Sequence, residues 1–128
     1  MKPTTREWVR KAENDFKVAL QILHRRKDVV PDAACFFSQQ CVEKYFKARL
    51  IEPGIVFPRT HDLLLLLNLC GSVEPLWLAY AKAVDTMSDY AVDFRYPGHS
   101  ATLREAKIAF KHCRSLRGEA RRSLGLKI

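Results

Sequence analysis

Pro31-Asp32-Ala33-Ala34-Cys35-Phe36-Phe37-Ser38-Gln39-Gln40-Cys41-Val42-Glu43-Lys44-Tyr45-Phe46-Lys47-Ala48-Arg49-Leu50-Ile51 decides the fold. Proline suits the first turn of a helix, where its missing N–H would have had no partner. Ala34, Phe37, Cys41, Tyr45 and Ala48 follow at steps of three and four, the spacing that lines one face of an α-helix. The stretch therefore predicts a helix from Pro31 to about Ile51. Glu52-Pro53-Gly54 stops it, since proline cannot continue a helix and glycine is free to turn.

The flanking sequence reads the same way. Upstream, Trp8, Ala12, Phe16, Ala19 and Leu23 form the apolar stripe of a helix from about Thr5 to Arg26. Its end, Arg25-Arg26-Lys27, suits the negative pole of the helix dipole. Downstream, Thr60 is the expected N-cap of a short leucine-rich helix, His61 to Cys70. After Gly71-Ser72, a fourth helix opens at Pro75, with Leu76, Tyr80, Ala83, Met87, Tyr90 and Phe94 as its stripe and Pro97-Gly98 as its stop. A last helix runs from near Ser100 to about Leu124, burying Ala106, Phe110, Cys113, Leu116 and Ala120. No stretch keeps the period-two alternation of a strand. The expectation is an all-α bundle of four long helices plus one short helix, in a single domain over residues 1–128.

A hydrophobic fraction of 48 % and a charged fraction of 28 % are those of an ordinary globular protein. The longest apolar run, Leu63 to Leu67, is far short of the ~18 residues that span a bilayer. The start of the chain lacks the apolar centre of a signal peptide, so no membrane association and a cytoplasmic location are expected. Cys35, Cys41, Cys70 and Cys113 form no C-x-x-C pair and lie in apolar stretches, which suits buried reduced thiols. His24, His61, His99 and His112 have no zinc-ligand spacing, so no metal or other cofactor is expected. A net charge of +8 favours an anionic partner such as RNA, a nucleotide or an acidic protein.

The candidate site begins where the fourth helix ends, at Tyr90-Ala91-Val92-Asp93-Phe94-Arg95-Tyr96-Pro97-Gly98-His99. Arginine grips phosphate with a rigid fork of donors, and histidine moves protons near neutral pH. In a catalytic reading His99 is the general base on a ribose hydroxyl and Arg95 stabilises charge building on phosphorus. In a structural reading Arg95 satisfies helix-end carbonyls, Tyr96 packs, and Pro97-Gly98 makes a turn. Asp85, Asp89 and Asp93 share one face of the fourth helix, which favours ion pairing over metal binding. Arg104, Lys107, Lys111, Arg114 and Arg121 form a basic row on the last helix. Such a row is either long stems at the rim of the core or a track for a phosphate backbone. Gln39, Glu43 and Lys47 share a face of the second helix, beside Gln40 and Lys44. Glu43 and Lys47 are an i,i+4 pair worth about 0.3–0.5 kcal/mol on a solvated surface.

Several of these features come in a recognisable order. Trp8, Ala12 and Asp15 lie on the first helix and Cys35-Phe36-Phe37-Ser38-Gln39-Gln40-Cys41-Val42-Glu43-Lys44 on the second. Thr60-His61-Asp62-Leu63 and Tyr90 followed by Arg95-Tyr96-Pro97 come after. In that order they resemble a HEPN domain over about Trp8 to Leu124. The resemblance implies an up-and-down helical bundle, a homodimer, and a minimal nucleotidyltransferase partner in a toxin–antitoxin pair. It also implies, for many members, a metal-independent ribonuclease with an R-x(4–6)-H motif at the dimer interface. Here only three residues separate Arg95 from His99, and two of them are Pro97-Gly98. The favoured expectation is a nucleotide- or partner-binding subunit whose site is Lys44, Lys47, Asp89, Arg95 and Tyr96. The alternatives are a ribonuclease toxin using Arg95 and His99, and a basic helical RNA-binding module led by the last helix.

Overall fold

The computed structural model describes residues 1–93 and 96–128, with the backbone alone described for 91–93. Among the described residues five α-helices follow one another: α1 Pro3–His24, α2 Pro31–Ile51, α3 Leu63–Cys70, α4 Ala81–Asp93 and α5 Leu103–Ser123. A 3₁₀ turn over Pro75–Tyr80 leads into α4. The bundle of four long helices and one short one is the expected architecture.

Cross-helix contacts set the directions. Glu13 meets Tyr45, Asp15 meets Lys44 and Trp8 meets Lys47, so α1 and α2 are antiparallel. Trp77 packs on Phe46, while Tyr90 packs beside Ala34 and Cys35, so α4 also runs against α2. Asp32 reaches the main chain at Ala101 and Tyr45 reaches Arg121, so α5 runs parallel to α2. Every other helix packs against α2, which is buried except along one half-exposed side formed by Ala33, Phe36, Phe37, Gln40 and Lys44. Cys35, Val42, Phe46 and Leu50 join the expected stripe in the core, and of that stripe only Phe37 is half-exposed.

The largest main-chain departure from the sequence reading lies before α4. Leu76 is 87 % exposed, and Trp77 and Val84, outside the expected stripe, join its Met87 in the core. The cause is the 3₁₀ turn. It winds at three residues per turn rather than 3.6, so Leu76, counted back from α4 at α-helical pitch, falls on the outside and Trp77 takes the inner place. The cap of α3 also differs: Asp62 Oδ1 accepts from the Leu64 and Leu65 amides at 3.1 and 3.2 Å. Thr60 Oγ1 accepts the Asp62 amide at 3.0 Å and shapes the approach. The helix starts at Leu63 because the nearer oxygen captures its free donors. At α1, Pro3 takes the first position, and the chain turns extended at Arg25, so Arg26 lies outside the helix.

One buried polar network ties α1, α2 and α5 together. Glu13 accepts a two-pronged pair of hydrogen bonds from Arg117, each 2.7 Å, and a further one from the Tyr45 hydroxyl. Arg121 donates to the Tyr45 oxygen at 3.0 Å. The Arg117 guanidinium lies 4.3 Å from the Phe16 ring centre, covering the aromatic edge of the core. Burial pushes the Glu13 carboxyl up, but Arg117, Tyr45 and Arg121 together hold it below the ordinary carboxylate value.

All four cysteines are buried free thiols. Burial pushes Cys35 and Cys70 up to about 12, leaving almost no reactive thiolate at neutral pH.

Candidate functional site

The expected site residues fall into two groups along α2. The first lies near its N-terminal end, where α4 gives way to α5. Asp85 and Asp89 are exposed on α4, and among the described residues neither forms an ion pair. Arg95 lies outside the described residues, and the side chain of Asp93 does too. Beyond them, Tyr96 to His99 forms a tight turn closed by the His99 amide donating to the Tyr96 carbonyl at 3.4 Å. Gly98 has φ +93°, a conformation that suits glycine alone. Tyr96 is 65 % exposed, so the expectation that it packs is corrected: the turn carries it away from the core. His99 is exposed in the same turn.

The segment after the turn is firmly set. The Ala101 amide donates to Asp32 Oδ1 at 2.6 Å, fastening it to the start of α2. Thr102 and Glu105 form a capping box: the Glu105 amide donates to Thr102 Oγ1, and the Thr102 amide donates to Glu105. His99 is thus exposed immediately upstream of a fixed point.

The second group lies nine or more residues along α2, an axial rise of at least about 13 Å from Cys35. Lys44 Nζ pairs with Asp15 Oδ2 at 2.5 Å, across to α1. Lys47 Nζ donates to Glu43 Oε2 at 3.1 Å and stands 5.3 Å above the Trp8 ring. Both lysines are therefore held inside the chain, and no described contact joins either to Asp89 or Tyr96.

The face Gln39, Glu43, Lys47, open to either reading in the sequence, is buried. The side chains of Glu43 and Lys47 are only 3 % and 8 % exposed. They meet a residue that the sequence reading placed merely at a helix start. His61 Nδ1 lies 3.0 and 3.2 Å from the two Glu43 oxygens, and Gln39 Nε2 donates to the His61 carbonyl at 3.4 Å. Gln40 in turn donates to Gln39 at 2.7 Å. The sequence signal for this contact was Thr60-His61-Asp62 itself, a histidine in a loop beside a helix that carries a carboxylate.

The basic row of α5 divides. Arg104, Lys107, Lys111 and Arg114 are exposed, and among the described residues none of them forms an ion pair. Arg121 belongs to the Glu13 network and is half-buried. Among the described residues no group of three or more His, Cys, Asp and Glu is arranged to hold a metal ion. No helix in the described residues is long and apolar enough to cross a membrane.

The chain matches the HEPN domain family over residues 5–123. Among solved structures it is similar to the crystal structure of an archaeal HEPN homologue. The identity is 22 % and the TM-score 0.69, over 96 % of this chain and 98 % of that one. At that identity the likeness is one of fold. No curated protein matches the chain.

Proposed function

The chain belongs to the HEPN domain family, and from that premise we propose that it is a binding subunit rather than a nuclease. It presents the end of α4 to a minimal nucleotidyltransferase or to a nucleotide, as a homodimer in a toxin–antitoxin-type pair. The observation that carries this reading is the Tyr96–His99 turn. It leaves Tyr96 and His99 exposed after a break in the helix, whereas an i,i+4 pair on one helix face would need an unbroken helix. Asp89, Arg95 and Tyr96 form the core of the proposed surface. Lys44 and Lys47 take part only if their internal ion pairs open.

The reading expects a small nucleotidyltransferase gene beside this one, and a binding titration against its product is the test. Arg95→Ala combined with Tyr96→Ala is expected to weaken association at least tenfold, which corresponds to about 1.4 kcal/mol. Unchanged affinity sinks the proposed surface. If the purified protein cleaves RNA and Arg95→Ala or His99→Ala abolishes that activity, the ribonuclease alternative replaces it.

The exposed half of the α5 row supports a second reading, RNA binding. Arg104 to Arg114 spans about 15 Å of helix, with four cations and, among the described residues, no acid paired to them. Neutralising four phosphates of a single strand gives a slope of about −3 in log affinity against log salt. Lys107→Glu with Lys111→Glu is expected to flatten that slope. A wild-type affinity for RNA that ignores salt excludes the track.

A further inference from the structure

The Glu43–Lys47 pair is costly to bury, and an exposed imidazole stands on its Glu43 side. Two charges removed from water lose several kcal/mol of hydration each, and their mutual attraction often does no more than offset it. Apolar side chains would serve a bundle core as well. Instead Glu43 is turned toward His61, whose side chain is 82 % exposed.

The arrangement dictates which ring nitrogen carries the proton. A carboxylate beside an ammonium group can only accept hydrogen bonds. In the neutral ring, Nδ1 must therefore be the protonated nitrogen that faces Glu43, and the Nε2 lone pair is left for solvent. Lys47 holds Glu43 from behind, and Trp8 lies over Lys47. The Gln39 bond to the His61 carbonyl and the Asp62 cap of α3 fix the loop on either side. Among the described residues no carboxylate pairs with His24, His99 or His112, and burial together with the charge of Lys111 pulls His112 down.

We propose that His61 is a general base, with Nε2 as the proton acceptor and Glu43 as its positioning carboxylate. In the step, the O–H bond of a water or a hydroxyl-bearing ligand breaks and the proton moves to Nε2. The electron pair stays on that oxygen. With an ester as substrate, that oxygen bonds to the carbonyl carbon, while the bond from that carbon to the leaving alkoxide or phenoxide breaks and its electron pair departs with the leaving oxygen. The imidazolium formed is stabilised by the Glu43 carboxylate 3.0 Å away. A cleft of about 270 Å³ lined by Thr4, Glu7, Trp8 and Lys11 shares Trp8 with the cluster. A second, of about 430 Å³, shares Asp62 with its loop.

Two measurements on the full chain test this, and neither depends on the partner reading. Nitrogen-15 NMR of the wild type is expected to show neutral His61 protonated at Nδ1, the reverse of the tautomer that free imidazole side chains prefer in water. Hydrolysis of p-nitrophenyl acetate provides the second, with water as the hydroxyl donor. His61→Gln is expected to lose most of the protein-dependent rate, Glu43→Gln a part of it, and His24→Gln none. A solvent deuterium isotope effect marks proton transfer as opposed to direct attack by nitrogen. The proposal is overturned if His61 is protonated at Nε2, or if His61→Gln keeps the wild-type rate. Should Glu43→Gln fail to fold, the wild-type tautomer and His61→Gln still decide.

Discussion

Glu13→Ala is expected to destabilise the protein by about 2–4 kcal/mol. The Arg117 guanidinium is 15 % exposed and spends both prongs on this one carboxylate. Removing the anion leaves a largely buried cation with no counter-charge and takes away the acceptor of the Tyr45 hydroxyl. Breaking a fully buried pair costs about 3–5 kcal/mol, and partial exposure lowers that figure. Urea unfolding checks it: the midpoint should fall with an unchanged slope. A loss under about 1 kcal/mol, the level of a surface ion pair, would refute the role assigned to Glu13. The same carboxyl has a pH signature. Its folded value lies below the unfolded 4.5, so its contribution is complete above about 4.5 and is lost as pH falls through the lowered folded value. Glu13→Gln should therefore unfold less steeply in acid than the wild type.

The second large effect separates stability from purpose at Glu43. Glu43→Ala strands the Lys47 ammonium, 8 % exposed under Trp8, and is expected to cost about 3–5 kcal/mol. Replacing both partners, Glu43→Leu with Lys47→Met, removes the buried charges together and should be neutral or more stable by about 1–4 kcal/mol. His61 loses its carboxylate in both variants, but its exposed ring is left in water at little cost, so the comparison isolates the buried pair. Thermal melting of the two proteins is sufficient. A double variant as unstable as Glu43→Ala would mean that the pair is kept for stability.

How much could be read from the sequence differs from helix to helix, for physical reasons. α2 was legible to its ends because Pro31 and Glu52-Pro53-Gly54 punctuate it. On α5 the five expected core residues are all buried, since a helix with one wet face advertises its buried one. The entry to α4 was not legible: nothing in Pro75-Leu76-Trp77-Leu78 announces a change of helical pitch. Nor did α2's own periodicity reveal that Gln39, Glu43 and Lys47 are interior, because burial there depends on the number of neighbours. Arg121 reads as one more exposed cation until Glu13, 108 positions away in the chain, is placed opposite it. Of the site, the turn at Pro97-Gly98 was visible in the residues themselves, whereas the meeting of His61 with Glu43 needed the fold.

That all four other helices pack on α2 sets a hierarchy of motion. An outer helix can lift away and return while the others hold, but the central one cannot open until its neighbours have left. Amide exchange along Cys41 to Leu50 will therefore report the free energy of unfolding the whole molecule, whereas α4 and the turn beyond it will report only their own local openings. The surface proposed for partners thus lies away from the most protected part of the fold, and the His61 ring is an exposed polar contact with that part.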